Sequence, residues 1–152
     1  MKISIFGAGY VGLSLAALFM DSHEVSIIES DVDKINKLKK RISPIEDLSI
    51  QKTLKNSKSK LHIFSSMPEK YDSDLIILCL PTNYDAQANF FDTSIIENVI
   101  SEIFQNKENN SPILIKSTVP VGFTDNLNKS LKKNRIYFSP EFLREGNSLE
   151  DN

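Results

Sequence analysis

Leu75-Ile76-Ile77-Leu78-Cys79-Leu80 is the strongest apolar run in the chain, with no charge and no polar break. It is far shorter than the ~18 residues that a membrane span requires. Its lack of alternation marks a strand buried on both faces. Such strands lie at the centre of parallel sheets that are covered by helices on each side.

The flanking stretches fit that frame. Ile3 to Phe6 reads as a first strand, and Val11, Leu15, Leu18 and Phe19 then fall at helical spacing. Gly12, Ala16 and Ala17 are small enough for that helix to pack closely. Val25 to Ile28 is a second strand, and Asp31 is placed to cap a helix running through Lys40. Ser43-Pro44-Ile45 breaks that helix, a short one follows from about Leu48 to Lys55, and Leu61 to Phe64 is a weak third strand. Past the central run, Asp92 or Thr93 caps a helix in which Ile95, Ile96, Val99, Ile100, Ile103 and Phe104 repeat at helical period. Ile113 to Lys116 is a fifth strand, Thr124 to Leu131 a helix and Ile136 to Phe138 a sixth strand. Alternating strands and helices predict an α/β domain over residues 1–152. It is a Rossmann-type, doubly wound, mostly parallel six-stranded sheet with helices on both faces.

Composition narrows the function classes. Across 152 residues, 18 basic and 20 acidic side chains leave a net charge of -2, which gives no reason to expect nucleic acid or an anionic membrane as partner. The N-terminus moves straight into a strand, without the basic head and apolar middle of a signal peptide. Cys79 is the sole cysteine, so no internal disulfide forms, and the cytoplasm is the expected compartment. His23 and His62 have no partners at metal-ligand spacing, and no metal site is expected.

Gly7-Ala8-Gly9-Tyr10-Val11-Gly12 follows the first strand and opens the first helix. Gly7 permits the tight turn, Gly9 lets backbone approach a pyrophosphate, and Gly12 lets helix and strand pack closely. Amides at the helix start, those of Tyr10 and Val11 among them, then face an anion. Glu29 ends the second strand seventeen residues past Gly12 and is placed to accept the hydroxyls of an adenosine ribose. Its charge would repel a 2′-phosphate, which favours NAD over NADP. Lys34 counters this preference if it reaches a phosphate; equally it lines the adenosine site beside Glu29 or is plain helix surface.

Three more segments sit at strand ends, where open parallel sheets bind ligands. They are Leu80-Pro81-Thr82-Asn83-Tyr84, Lys116-Ser117-Thr118-Val119-Pro120-Val121-Gly122 and Ser139-Pro140-Glu141-Phe142-Leu143-Arg144-Glu145. Together with the glycine turn and Ser43-Pro44-Ile45, they closely resemble the UDP-glucose 6-dehydrogenase family, within the wider group of GDP-mannose and UDP-N-acetylmannosamine dehydrogenases. Pro81 to Tyr84 with Phe91-Asp92-Thr93 resembles the UDP-glucose branch most.

The resemblance implies oxidation of a sugar C6 alcohol to a carboxylate with two NAD, through an aldehyde held by a cysteine and then a thioester. Pro81, Thr82 and Thr118 then fall on cofactor positions, and Thr118 also on the hydroxyl that positions the hydrolytic water. Glu141 falls on the general base. Glu141, Phe142, Leu143, Arg144 and Glu145 fall on the loop along the nucleotide-sugar, with Glu145 also near the nicotinamide. On the residues alone, Phe142 and Leu143 are core or substrate-floor packing. Arg144 is equally a phosphate clamp or a member of a surface ion pair. A carboxylate and a hydroxyl side by side can hold and deprotonate one water, which suits hydrolysis of an acyl group.

The expected partner is UDP-glucose, completed by central and C-terminal UDP-sugar domains beyond residue 152, and the resemblance implies a homodimeric full-length enzyme. The family's nucleophilic cysteine also falls beyond that point. Cys79, inside the buried fourth strand, is expected to be an inert small hydrophobe. Without that nucleophile the chain is expected to bind NAD and not to complete the oxidation. Two other readings stay open. One is a non-catalytic NAD-binding module, against which the pairing of Thr118 with Glu141 argues. The other is a cofactor domain for a different substrate, such as a GDP-mannose, UDP-N-acetylmannosamine, hydroxyacid or hydroxyacyl dehydrogenase.

Overall fold

The computed structural model describes residues 1–68, 72–87, 90–105 and 110–152. Six parallel strands form the main sheet: β1 (Lys2–Phe6), β2 (Glu24–Ile28), β3 (Leu61–Phe64), β4 (Leu75–Leu78), β7 (Ile113–Ile115) and β8 (Ile136–Phe138). They are ordered β3-β2-β1-β4-β7-β8, so the sequence direction across the sheet reverses between β1 and β4. Registers such as Phe6↔Ile28, Phe6↔Leu78 and Ile115↔Phe138 align the carboxyl ends of the strands along one edge. The Rossmann-type α/β sheet expected from the sequence is the observed one. Its crevice is expected outside the β1 and β4 ends.

Period-two geometry divides the apolar residues between two cores. Ile3, Ile5, Val25, Ile27 and Ile77 pack on one face against α1 (Tyr10–Phe19), α2 (Val32–Lys39) and α3 (Leu48–Asn56). Phe6, Ile28, Ile76, Leu78, Ile113 and Ile115 pack on the other against α4 (Ser94–Gln105) and α5 (Phe123–Ser130). The central run is thus buried on both faces, because Ile77 points one way and Ile76 and Leu78 the other. Each such fully buried side chain contributes about 1.5–3 kcal/mol.

Two small elements were not visible in the sequence. A hairpin of β5 (Asn83–Asp85) and β6 (Phe90–Asp92) follows Pro81, pairing Tyr84 with Phe91, whose rings lie 4.8 Å apart. Three-residue strands carry too little alternation to register as strands. A one-turn helix, α6 (Ser148–Asp151), closes the chain against α1. The fourth strand also ends sooner than expected, at Leu78, which leaves Cys79 just past it. Among the described residues no helix is long and apolar enough to cross a membrane.

Helix starts follow the capping chemistry. Asp31 accepts from the Asp33 and Lys34 amides, and Asp92 accepts from Ser94 ahead of α4. Asp47, 4% exposed, accepts from the Ile50 amide at 3.0 Å and from the Ser148 amide and hydroxyl at 2.9 and 2.7 Å. Burial raises the pKa of its carboxyl, but these hydrogen bonds outweigh burial and hold it below the usual carboxylate range. Its contribution to stability is therefore full above the unfolded value near ~4 and lost as pH falls through the lower folded value. In urea titrations, the stability gap between the parent chain and Asp47→Asn should narrow as pH drops below about 4. A gap constant with pH would contradict this.

Candidate functional site

Gly7 leaves β1 with φ +97°, a left-handed conformation that side chains disfavour, and its amide bonds Ile28 O at 2.9 Å. The chain then enters α1 at Gly9. No side chain caps this helix start, unlike the Asp-capped α2 and α3, and no acid occupies its first turn. First-turn amides have no acceptor within their own helix. An anion is the complementary partner for them.

Glu29, 8% exposed, fastens that turn to the next helix. Its Oε2 accepts from the Ala8 amide at 2.8 Å and its Oε1 from the Asp31 amide at 2.9 Å. Lys34 Nζ stands 3.6 Å from Oε2. A carboxylate has about four acceptor positions, so two amide bonds leave capacity for a ribose diol.

These groups wall one cleft of about 820 Å³ over the β1 and β4 ends. That volume falls in the range of cofactor pockets, roughly 300–1,000 Å³. Of the residues expected at the site, Gly7, Gly9, Tyr10, Val11, Glu29, Lys34, Pro81 and Glu145 line it. Gly12 lies behind it, its Cα facing the Gly7 carbonyl. Ser65, Ser66, Met67, Ile95, Val99 and Glu102 also line the cleft, and sequence reasoning missed them there. Ile95, Val99 and Glu102 share one stripe of α4, whereas Ile96, Ile100 and Ile103 are buried. The sequence reading merged both stripes into a single core face. The polar Glu102, seven residues from Ile95, was the available signal that this stripe faces the cleft.

The remaining expected residues are not among the cleft walls: Thr82 lies between β4 and β5, and the others follow β7 and β8. Thr82 is half-buried, and Thr118 is exposed three residues past β7. Glu141 pairs with Lys116 rather than with Thr118. Lys116 Nζ is 2.5 Å from Glu141 Oε2 and donates to Ser139 Oγ at 3.3 Å. Lys116 was not singled out in the sequence, because a lysine ending a strand reads as surface. Phe142 is 92% exposed, so it is not core, and Leu143 is half-buried. Arg144 pairs with Asp151 at 2.6 Å on the surface.

Cys79 lies directly beneath the glycine turn, where a Cβ on Gly7 would meet its carbonyl oxygen at 2.4 Å. Burial pushes its thiol up to about 12, only partly offset by the Lys116 charge. A thiol held protonated is not a nucleophile. Among the described residues no group of three His, Cys, Asp or Glu could hold a metal ion.

Residues 1–152 match the NAD binding domain of the UDP-glucose/GDP-mannose dehydrogenase family. The chain belongs to that family. The uncapped helix mouth, the crowding at Gly7 and Gly12 and the buried Glu29 carboxylate all fit NAD, the cofactor of this domain family. Within the family, the UDP-glucose 6-dehydrogenase of Campylobacter jejuni is 44% identical, covering 99% of this chain and 39% of its own length. That of Streptococcus pneumoniae is 42% identical, covering 100% and 39%. The solved ternary complex of GDP-mannose dehydrogenase from Pseudomonas aeruginosa superposes with a TM-score of 0.85 at 27% identity, over 99% of this chain and 38% of that one. The chain therefore spans about two-fifths of the length of the curated relatives it matches.

Proposed function

We infer that this chain is the NAD-binding domain of a UDP-glucose 6-dehydrogenase. The observation that carries the reading is the convergence of the uncapped α1 mouth, Glu29 and Glu145 on one cleft. The 42–44% identity to UDP-glucose 6-dehydrogenases supports the choice of sugar nucleotide.

In this reading the α1 amides hold the pyrophosphate and Glu29 holds the adenosine ribose hydroxyls. The cleft these residues wall would hold NAD, which when bound would supply the hydride acceptor for each of two oxidation steps. Lys116 engages Glu141 Oε2, so Glu141 Oε1 is the oxygen assigned to take a proton from the hydrolytic water, which the Thr118 hydroxyl orients. Glu145 closes the nicotinamide end, and Phe142 to Arg144 lie along the sugar nucleotide. The exposure of Phe142 suits a residue that meets substrate. Cys79, protonated beneath the turn, takes no part as nucleophile. The 152 residues by themselves accordingly bind NAD without turning over UDP-glucose.

Titration calorimetry with NAD, NADP and UDP-glucose tests this directly. NAD binds, NADP binds more weakly, and UDP-glucose binding is weak. Glu29→Ala removes hydrogen bonds to a charged group and weakens NAD by about 1.5–3 kcal/mol, roughly ten- to a hundredfold. Unchanged affinity in that variant would show that the ribose site is misplaced.

A further inference from the structure

The Ser43-Pro44-Ile45 segment has no role in the cleft, yet it is tightly built. Ser43 Oγ donates to Ile45 O at 2.8 Å, the Ser43 amide donates to Gln51 Oε1 at 2.8 Å, and Ile45 packs on the α1-side core. That rigidity fixes Asp47, whose two carboxylate oxygens do different jobs. Oδ1 caps α3 through the Ile50 amide, while Oδ2 accepts both the amide and the hydroxyl of Ser148, 101 residues away.

Ser148 itself is fully buried, and it directly follows the turn that carries Glu145. The Asn147 amide bonds Arg144 O at 3.1 Å, closing a four-residue turn with Glu145 and Gly146 at its tip. Gly146 has φ +84°, as the third position of such a turn can require. One leg of the turn is held by Asp151, which accepts from the Arg144 amide at 2.8 Å, and the other by Asp47 through Ser148. Beyond the pin, α6 is fastened to α1 by Asn152 Nδ2 on Ser14 Oγ at 2.6 Å. Glu145 thus reaches the cleft on a turn whose position is set from the α2–α3 connection.

We propose that Asp47 is a positioning residue for the dinucleotide, acting through Ser148 to set where Glu145 enters the cleft. The proposal rests on the reading of the cleft as the NAD site. Asn caps helices as well as Asp does, so Asp47→Asn keeps α3 capped while its amide cannot accept both Ser148 bonds and the Ile50 bond.

The test is NAD calorimetry on this chain, well below its melting temperature, with Asp47→Asn, Ser148→Ala, Glu145→Gln and the Asp47→Asn/Glu145→Gln double variant. Loss of overall stability alone does not move the affinity of the folded fraction. Asp47→Asn is expected to weaken NAD about fivefold and Ser148→Ala about two- to threefold. The double variant should bind within about twofold of Glu145→Gln alone, because coupled residues are not additive. Hydrogen exchange at the Glu145 to Ser148 amides should rise in Asp47→Asn without NAD present. Parent affinity in both Asp47→Asn and Ser148→Ala, or effects that multiply in the double variant, would overturn the pin while leaving the cleft intact. Failure of the parent chain to bind NAD would instead remove the cleft reading, and the pin with it.

Discussion

Gly12→Ala is expected to lower the melting temperature by roughly 6–12 °C, equivalent to about 3 kcal/mol, and to abolish measurable NAD binding. A Cβ at this position would stand 2.0 Å from the Gly7 carbonyl oxygen and 3.1 Å from its carbon. Both are backbone atoms, so no side-chain rotation relieves the contact. Either α1 moves off the turn or the turn itself gives way. Each outcome displaces the amides proposed to hold the pyrophosphate. Gly9→Ala provides the contrast, because its Cβ would meet nothing within 4 Å and its φ of -92° suits any residue. That variant should melt within about 2 °C of the parent while still losing NAD affinity, since the new methyl would enter the cleft proposed to hold the dinucleotide. Thermal unfolding and calorimetry on the two proteins decide the matter. Equal melting temperatures for Gly12→Ala and Gly9→Ala would mean that the turn does not pack as described.

Lys116→Met is expected to cost about 2–4 kcal/mol of unfolding free energy in urea. The lysine side chain is 8% exposed and its Glu141 partner 21%, so removing the ammonium strands a carboxylate with little water around it. The cost falls toward the low end for buried pairs because Glu141 keeps some solvent contact. Adding Glu141→Leu should restore most of the loss. A buried pair contributes little net stability once desolvation is counted, whereas half a pair is destabilising. An unchanged urea midpoint for Lys116→Met would show that the pair is solvated. The same pair bears on function in the reading given above. Lys116 fixes one oxygen of the residue proposed to deprotonate water, and a general base must be held within hydrogen-bond reach of its target.

Ile3 to Phe6, Val25 to Ile28 and the Leu75 run were legible as strands because burial of a sheet leaves a periodic record in one dimension. The glycine turn was legible because its constraints are local. A positive φ at Gly7 and the crowding at Gly12 concern residues close in sequence or directly beneath. Capping by Asp31 was legible for the same reason.

What was not legible involves partners distant in sequence. Lys116 meets Glu141 only because β7 and β8 are neighbours in register, and nothing in either local segment marks the pairing. Asp47 looked like an ordinary helix cap, and only the return of the chain to Ser148 shows that its second oxygen is shared with the turn bearing Glu145. The split of the α4 stripe between core and cleft depended on how that helix is rotated over the sheet, which period 3.6 alone does not set. The amino-acid order thus determined the α/β class and the glycine turn after the first strand, both of which follow from short-range sterics and periodic burial. The tertiary structure alone decided which side chains share the cleft, because those contacts are made between strand ends and helices that meet only after the sheet has closed.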